Sequence, residues 1–253
     1  MHIETVGQGP DIVLIHGWAL HGGVFAPLVA RLSARYRLHL VDLPGHGYSR
    51  DDDTALALPH VVSAIAAATP PAVWLGWSLG GLFALHAAAS QPQVRALAMI
   101  AATPRFVRGA DWPDAVEAEV FAQFGQGLGA DYRGTLERFL ALDTLGSEHA
   151  RAELRTLKQA LVERGEPAPR ALQEGLELLR RTDLRRALAT LAKPSLWLAG
   201  QRDRLVPAAG MHAAAALAPA ATAHTVVGGG HAPFLGHADE VADQLERFVS
   251  TLG

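Results

Sequence analysis

Short apolar runs alternate with stretches of helical spacing along the first part of the chain. Ile12–Ile15 is an apolar run that stops at His16-Gly17, which predicts a buried strand leading into a loop. Val24–Leu32 carries apolar residues at helical spacing. Arg37–Val41 alternates into a second strand that stops at Asp42-Leu43-Pro44-Gly45-His46-Gly47. Pro59–Ala68 predicts a helix closed by Pro70-Pro71. A strand over Ala72–Gly76, a helix over Leu79–Ala89 and a strand over Val94–Ala101 follow. Strands separated by helices in this way form a mostly parallel sheet with helices on both faces.

Beyond that point the pattern changes. Pro113–Phe124, Tyr132–Leu142, Glu148–Glu163 and Pro169–Arg181 all have helical spacing, punctuated by Gly125, Gly127, Gly129, Gly146 and Gly165. Sheet character returns at Ser195–Leu198. Met211–Leu217 then predicts a helix, His224–Val227 a last strand and Asp239–Thr251 a closing helix. No repeat or interdomain linker interrupts the chain. The expectation is one α/β domain, with its core in residues 1–108 and 187–253 and a helical cap inserted at about 109–186.

Composition narrows the classes of function. The 253 residues are 49% hydrophobic and 19% charged, as in a globular protein. A net charge of -3 and a pI near 6.4 argue against a general nucleic-acid binder. With no cysteine there is no disulfide, thiolate nucleophile or cysteine metal site. The first residues lack the basic and apolar regions of a secretory signal, and no apolar run is long enough to span a bilayer. The cytoplasm is the expected location.

The sharpest local signal is Gly76-Trp77-Ser78-Leu79-Gly80, set between a predicted strand and a predicted helix. A serine in this strand–turn–helix setting is presented above the sheet on a strained turn, with small neighbours letting strand and helix approach. Its hydroxyl needs a base, and the base needs an acceptor to orient it. Asp203 follows the strand Ser195–Leu198, and His231 follows the last strand in Gly228-Gly229-Gly230-His231-Ala232-Pro233-Phe234. The order Ser78, Asp203, His231 and the placement after strand ends suit a nucleophile, an orienting acid and a base. His16, His46 and His237 are competing histidines. The loop His16-Gly17-Trp18 and the start of the helix at Leu79 place the Trp18 and Leu79 amides as oxyanion donors. The Trp18 and Trp77 rings are candidates for lining an acyl pocket.

These residues resemble the α/β-hydrolase family, and beyond it the biotin-biosynthesis carboxylesterases that remove the methyl ester from pimeloyl-acyl carrier protein. The more selective pieces are Leu38–Gly45, Trp74–Gly81, Thr135–Leu142, Gly175–Leu179 and Thr182–Arg185. The resemblance implies an α/β-hydrolase fold and a monomer that needs no metal or redox cofactor. It implies a partner, an acyl carrier protein bearing a pimeloyl methyl ester on phosphopantetheine, with no nucleic acid or membrane partner. It also implies Ser78, Asp203 and His231 as triad and Trp18 and Leu79 as oxyanion residues. Phe139 would line the substrate channel, and Arg138, Arg151 and Arg155 would contact the acidic carrier. Gly134 departs from the pattern, standing where part of the family has an arginine; Arg133 is its neighbour.

Charge spacing bears on the carrier independently. Arg151, Arg155 and Lys158 fall on neighbouring faces of one predicted helix, suited to an anionic partner or to pairing with Glu148 or Glu153. From the residues alone two other functions stay open. One is a general short-chain carboxylesterase without carrier preference; the other is a non-catalytic protein of this fold that binds an acidic partner. An epoxide hydrolase is disfavoured, since that chemistry wants a carboxylate where Ser78 stands.

Overall fold

In a computed structural model, which describes residues 1–252, the apolar runs of the sequence become the middle of a seven-stranded sheet. The strands are β1 (His2–Gly7), β2 (Asp11–Ile15), β3 (Arg37–Asp42), β4 (Ala72–Trp77), β5 (Val94–Ile100), β6 (Ser195–Gly200) and β7 (Ala221–Val226). Their order is β1-β3-β2-β4-β5-β6-β7, with β1 antiparallel to β3 and every other pair parallel. Every residue of β4 and β6 is buried, as expected where helices cover both faces of a parallel sheet. At the edges burial is partial. β1 pairs Ile3 with Val41 and Val6 with Leu38. It is absent from the sequence reading because a half-exposed edge strand carries no apolar run.

The core helices are α1 (Ala26–Leu32), α2 (Leu58–Ala68), α3 (Leu79–Ser90), α9 (Ala208–Leu217), α10 (Pro233–Gly236) and α11 (Ala238–Ser250). Between β5 and β6 lie α4 (Ala118–Ala130), α5 (Tyr132–Thr144), α6 (Ala150–Glu163), α7 (Pro169–Arg181) and α8 (Arg185–Leu188). α7 shows why these segments fold on the core. Ala171, Leu172, Gly175, Leu176 and Leu179 make its buried stripe, while Arg170–Glu174 and Arg180–Glu177 pair on the outer face.

The first inserted helix begins later than expected. Pro113–Glu117 is not helical; instead the Arg108 amide donates to Val116 O at 2.8 Å and the Val116 amide to Phe106 O at 3.2 Å. The Trp112 indole fixes the same turn through Arg105 O at 2.9 Å. The helix begins at Ala118 and runs through Gly125, Gly127 and Gly129. Gly127 is a contact point, not a breaker: a Cβ there would stand 2.5 Å from Thr135 Oγ1 of α5.

The inserted helices sit on loops that follow the C-terminal ends of strands. The Ala168 amide donates to Gly45 O, Glu148 to Gly228 O, and His231 to Asp143 O. Arg164, at the end of α6, reaches back to Glu4 at 2.6 Å and Asp42 at 3.2 Å. No helix among the described residues is long and apolar enough to cross a membrane.

Candidate active site

β4 ends at Trp77 and α3 begins at Leu79, so Ser78 alone makes the turn, with φ 53° and ψ −121°. Such a backbone costs about 1–3 kcal/mol and persists only where the surroundings hold it. Here the Ser78 amide donates to Ile100 O at 3.1 Å and the Gly81 amide to Ser78 O at 2.9 Å. A Cβ on Gly76 would collide with the Gly80 backbone, and one on Gly80 with Ile15 O. Only glycine permits the approach that aims Ser78 upward.

Three loops then converge. Ser78 Oγ is 2.8 Å from His231 Nε2, and His231 Nδ1 is 2.7 Å from Asp203 Oδ2. Asp203 Oδ1 accepts from the Leu205 and Val206 amides at 2.8 and 2.9 Å, which fixes the carboxylate plane. Burial opposes a charge on His231. The Asp203 carboxylate, by attraction and by hydrogen bond, overcomes this and holds the imidazole pKa above its usual value, with a smaller pull from Asp143. A serine, a neutral imidazole and an orienting carboxylate in this chain can remove the hydroxyl proton as its oxygen attacks a carbonyl. All three groups are nearly sealed from solvent: Ser78 is 4% exposed, His231 1% and Asp203 6%.

The two amides expected to hold an oxyanion are both unengaged. Leu79 opens α3, where a helix leaves its first amides free, and neither Trp18 nor Leu79 donates to a backbone or side-chain acceptor among the described residues. The Trp18 loop lies against the nucleophile, since a Cβ on Gly17 would stand 3.2 Å from Ser78 Cβ.

The Trp18 side chain faces the inserted helices. Its indole donates to Leu172 O at 2.8 Å, and its ring lies 4.5 Å from Phe139 and 6.4 Å from Phe124. Phe124 belongs to this aromatic group although the sequence reading omitted it; its helical spacing gave no reason to single it out. Trp77 is placed differently. Its indole donates to His231 O at 2.7 Å and its ring packs edge-on against Phe234. These contacts brace the His231 loop.

Asp143 is a second residue the sequence did not reveal. It is 1% exposed, its carboxyl has no hydrogen-bond partner among the described residues, and its backbone oxygen accepts from the His231 amide at 3.1 Å. Burial pushes its pKa up to about 7; attraction to His231 opposes the rise and the like charge of Asp203 adds to it.

The competing histidines lie elsewhere. His16 Nδ1 donates to Gly17 O at 2.7 Å while Nε2 accepts from the Leu43 amide, a neutral linkage between two loops. Burial pulls its pKa down to about 3. His46 bonds Pro44 O at 3.0 Å, and burial lowers it to about 4. His237 Nε2 faces Glu148 at 3.6 Å.

The arginines sit on the outer surface of α5 and α6. Arg151 and Arg155 are exposed, with no carboxylate within 4.0 Å among the described residues. Neither pairs with Glu153, which is buried and accepts from Ser147 Oγ at 2.8 Å. Lys158 bridges to Glu137 at 2.8 Å and Arg138 to Asp131 at 3.1 Å. Gly134 leaves room for Asp131, whose carboxylate caps α5 by accepting from the Gly134 amide at 3.0 Å; a Cβ there would collide with it. Arg133 is engaged with Glu166 at 2.8 Å.

Comparison with known proteins agrees with this architecture. Residues 12–244 match the family described as alpha/beta hydrolases. The chain is 79% identical over 252 residues to a pimeloyl-[acyl-carrier protein] methyl ester esterase of Xanthomonas campestris pv. campestris (strain B100), covering all of both chains. It is 73% identical to the protein of that name from Stenotrophomonas maltophilia (strain K279a), covering 100% of this chain and 97% of that one. Among solved structures, an esterase from Exiguobacterium antarcticum superposes with a TM-score of 0.88 at 21% identity, covering 98% of this chain and 95% of that one. A bromoperoxidase from Bacillus anthracis has the same TM-score and identity, covering 98% and 94%, so these likenesses speak for the fold alone. On the family match and the full-length identity together, this chain belongs to the alpha/beta hydrolase family.

Proposed function

We propose that this protein is the serine carboxylesterase that hydrolyses pimeloyl-[acyl-carrier protein] methyl ester to pimeloyl-[acyl-carrier protein] and methanol, a step of biotin biosynthesis. The observation that carries the reading is the hydrogen-bonded chain Ser78–His231–Asp203, in a protein 79% identical over its length to esterases of that name.

In this mechanism His231 takes the Ser78 proton as Oγ attacks the methyl ester carbonyl. The Trp18 and Leu79 amides receive the developing oxyanion, each worth about 3 kcal/mol of transition-state stabilisation. His231 then protonates departing methanol, and a water activated by the same imidazole cleaves the acyl-serine to a carboxylate. Asp203 stays ionised and holds the ring. No metal or redox cofactor has a part in these steps.

The insertion at about 109–186 acts as a cap. Trp18, Phe124 and Phe139 make an apolar wall suited to a methylene chain. Arg151 and Arg155, without a carboxylate partner among the described residues, meet the acidic carrier together with Arg138 of α5. Because Ser78 is 4% exposed, the cap parts to admit substrate. The enzyme works as a cytoplasmic monomer.

The test is turnover of methyl-pimeloyl carrier protein beside a simple methyl ester. Methanol and demethylated carrier, formed with a much higher kcat/KM than the simple ester gives, support the proposal. Equal kcat/KM for both would make this a general short-chain esterase.

A further inference from the structure

Glu148 and His149 lie at the start of α6 in the insertion, and His237 lies between α10 and α11 in the core. Glu148 Oε1 is 3.6 Å from His149 Nε2 and 3.6 Å from His237 Nε2, and the three atoms all fall within 4.8 Å of one another. We propose that Glu148, His149 and His237 form a binding site for a divalent cation of the zinc type, which fastens the insertion to the core.

An ordinary ion pair does not account for this spacing. Where a histidine pairs with a carboxylate elsewhere in the chain, the atoms close to hydrogen-bond distance: 2.8 Å for His39–Asp11 and 2.6 Å for His224–Glu240. At Glu148 neither ring comes that near, and the two share one oxygen. His237 Nε2 is buried and has no hydrogen-bond partner among the described residues, a group that normally finds one. A tetrahedral zinc with bonds of 2.0–2.1 Å sets its ligand atoms about 3.4 Å apart. The two Glu148 distances already approach that value, and the third lies within 4.8 Å.

Donor chemistry selects the cation. Two imidazoles and one carboxylate oxygen suit zinc and its neighbours, nickel and cobalt, over magnesium or calcium, which want all-oxygen shells. Glu148 and His149 are about half exposed, which leaves a side of the site open to a water as fourth ligand. The surroundings leave the rings room. A Cβ on Gly236 would stand 2.7 Å from His149 Cδ2, so only glycine before His237 lets the two imidazoles lie 5.0 Å apart. Buried Glu153 lies on the same side of Gly236 as the His149 ring, with one carboxylate oxygen unpartnered among the described residues.

Position gives the site a consequence. The Glu148 amide already donates to Gly228 O in the loop that carries His231. A cation held by Glu148, His149 and His237 adds a second tie between that part of the insertion and the core.

The test uses the full, untagged protein, freed of metal by chelator dialysis and titrated calorimetrically with zinc chloride. One saturable site of micromolar affinity or better is expected. His149→Ala and Glu148→Gln, both at half-exposed positions, should each weaken it at least tenfold. Thermal melting should rise with zinc in the wild type and much less in either variant, while magnesium has no effect. Absence of saturable zinc binding, or equal affinity in wild type and His149→Ala, overturns the proposal. Because binding and melting are read without substrate, the outcome is independent of the esterase assignment.

Discussion

In the core, Ser78 is held at φ 53° by close approaches that only glycines allow; His231 lies 2.8 Å from it and Asp203 2.7 Å from His231, on loops fixed by backbone hydrogen bonds. In the insertion, Arg151 and Arg155 stand in solvent without a carboxylate partner among the described residues. On the proposed function, the two regions are built to different tolerances because they do different work. Bond-making chemistry needs atoms placed to within tenths of an ångström. Recognition of an acidic protein needs a charge of the right sign, which acts across several ångströms and tolerates mobile side chains.

That contrast can be broken most sharply at the nucleophile. Ser78→Ala should lower kcat by about 10^4-fold or more while leaving carrier binding and melting temperature near wild type. Substantial turnover in steady-state assays of that variant would move the chemistry off Ser78.

Asp203→Asn comes next, with a loss of about 10^3- to 10^4-fold in kcat. It should also change the pH profile. The active base is neutral His231, so wild-type kcat/KM falls as pH is lowered through an imidazole pKa held above 6.5. Removing the carboxylate charge lets burial dominate, and the acid limb shifts to lower pH. A pH–rate profile with an unmoved limb would show that Asp203 does not set that pKa.

The cap should respond in a different parameter. Arg151→Glu with Arg155→Glu should raise KM for methyl-pimeloyl carrier about tenfold or more, with kcat and the turnover of a short soluble ester unchanged. The defect should shrink as salt is raised, since the interaction is between exposed charges. An equal defect on both substrates would mean that the arginines support the fold and not the carrier.

The smallest expected effect is at Asp143, where cap and core meet. Its folded pKa is raised to about 7 from 3.8, so the folded state holds its proton more tightly than the unfolded chain. Stability from this group is therefore full at low pH and falls as pH rises from 3.8 through 7. Asp143→Asn keeps the neutral form and should melt about 3–8 °C higher than wild type at pH 8, the gap narrowing towards pH 4. An unchanged gap across that range would show that Asp143 does not titrate as described.

The same contrast explains which features could be read from the sequence. The inner parallel strands were legible because strands buried on both faces carry continuous apolar runs, as in Val73-Trp74-Leu75; the edge strand β7, mostly unburied, was expected at His224–Val227 but runs over Ala221–Val226. The elbow was legible because steric crowding restricts Gly76 and Gly80, and the order of Ser78, Asp203 and His231 follows from topology. β1 was not, because its residues are partly exposed at the sheet edge and carry no apolar run. The first inserted helix was misplaced since Pro113 suits a helix start, whereas backbone bonds from Phe106 and Arg108 hold Val116 in a turn. Asp143 looked like any polar residue of an exposed helix; its burial comes from packing on the His231 loop. The meeting of His149 with His237 likewise depends on tertiary folding, which spacing along the chain does not report.

The central claim is that the core serine attacks the distal methyl ester while the carrier stays attached through its thioester. Acid-quenched intact-mass spectrometry of enzyme mixed with methyl-pimeloyl carrier tests it directly. The account predicts a transient adduct whose mass is enzyme plus loaded carrier less methanol, mapping to the peptide that contains Ser78. Enzyme carrying a methyl-pimeloyl group, alongside carrier with a free thiol, would contradict it.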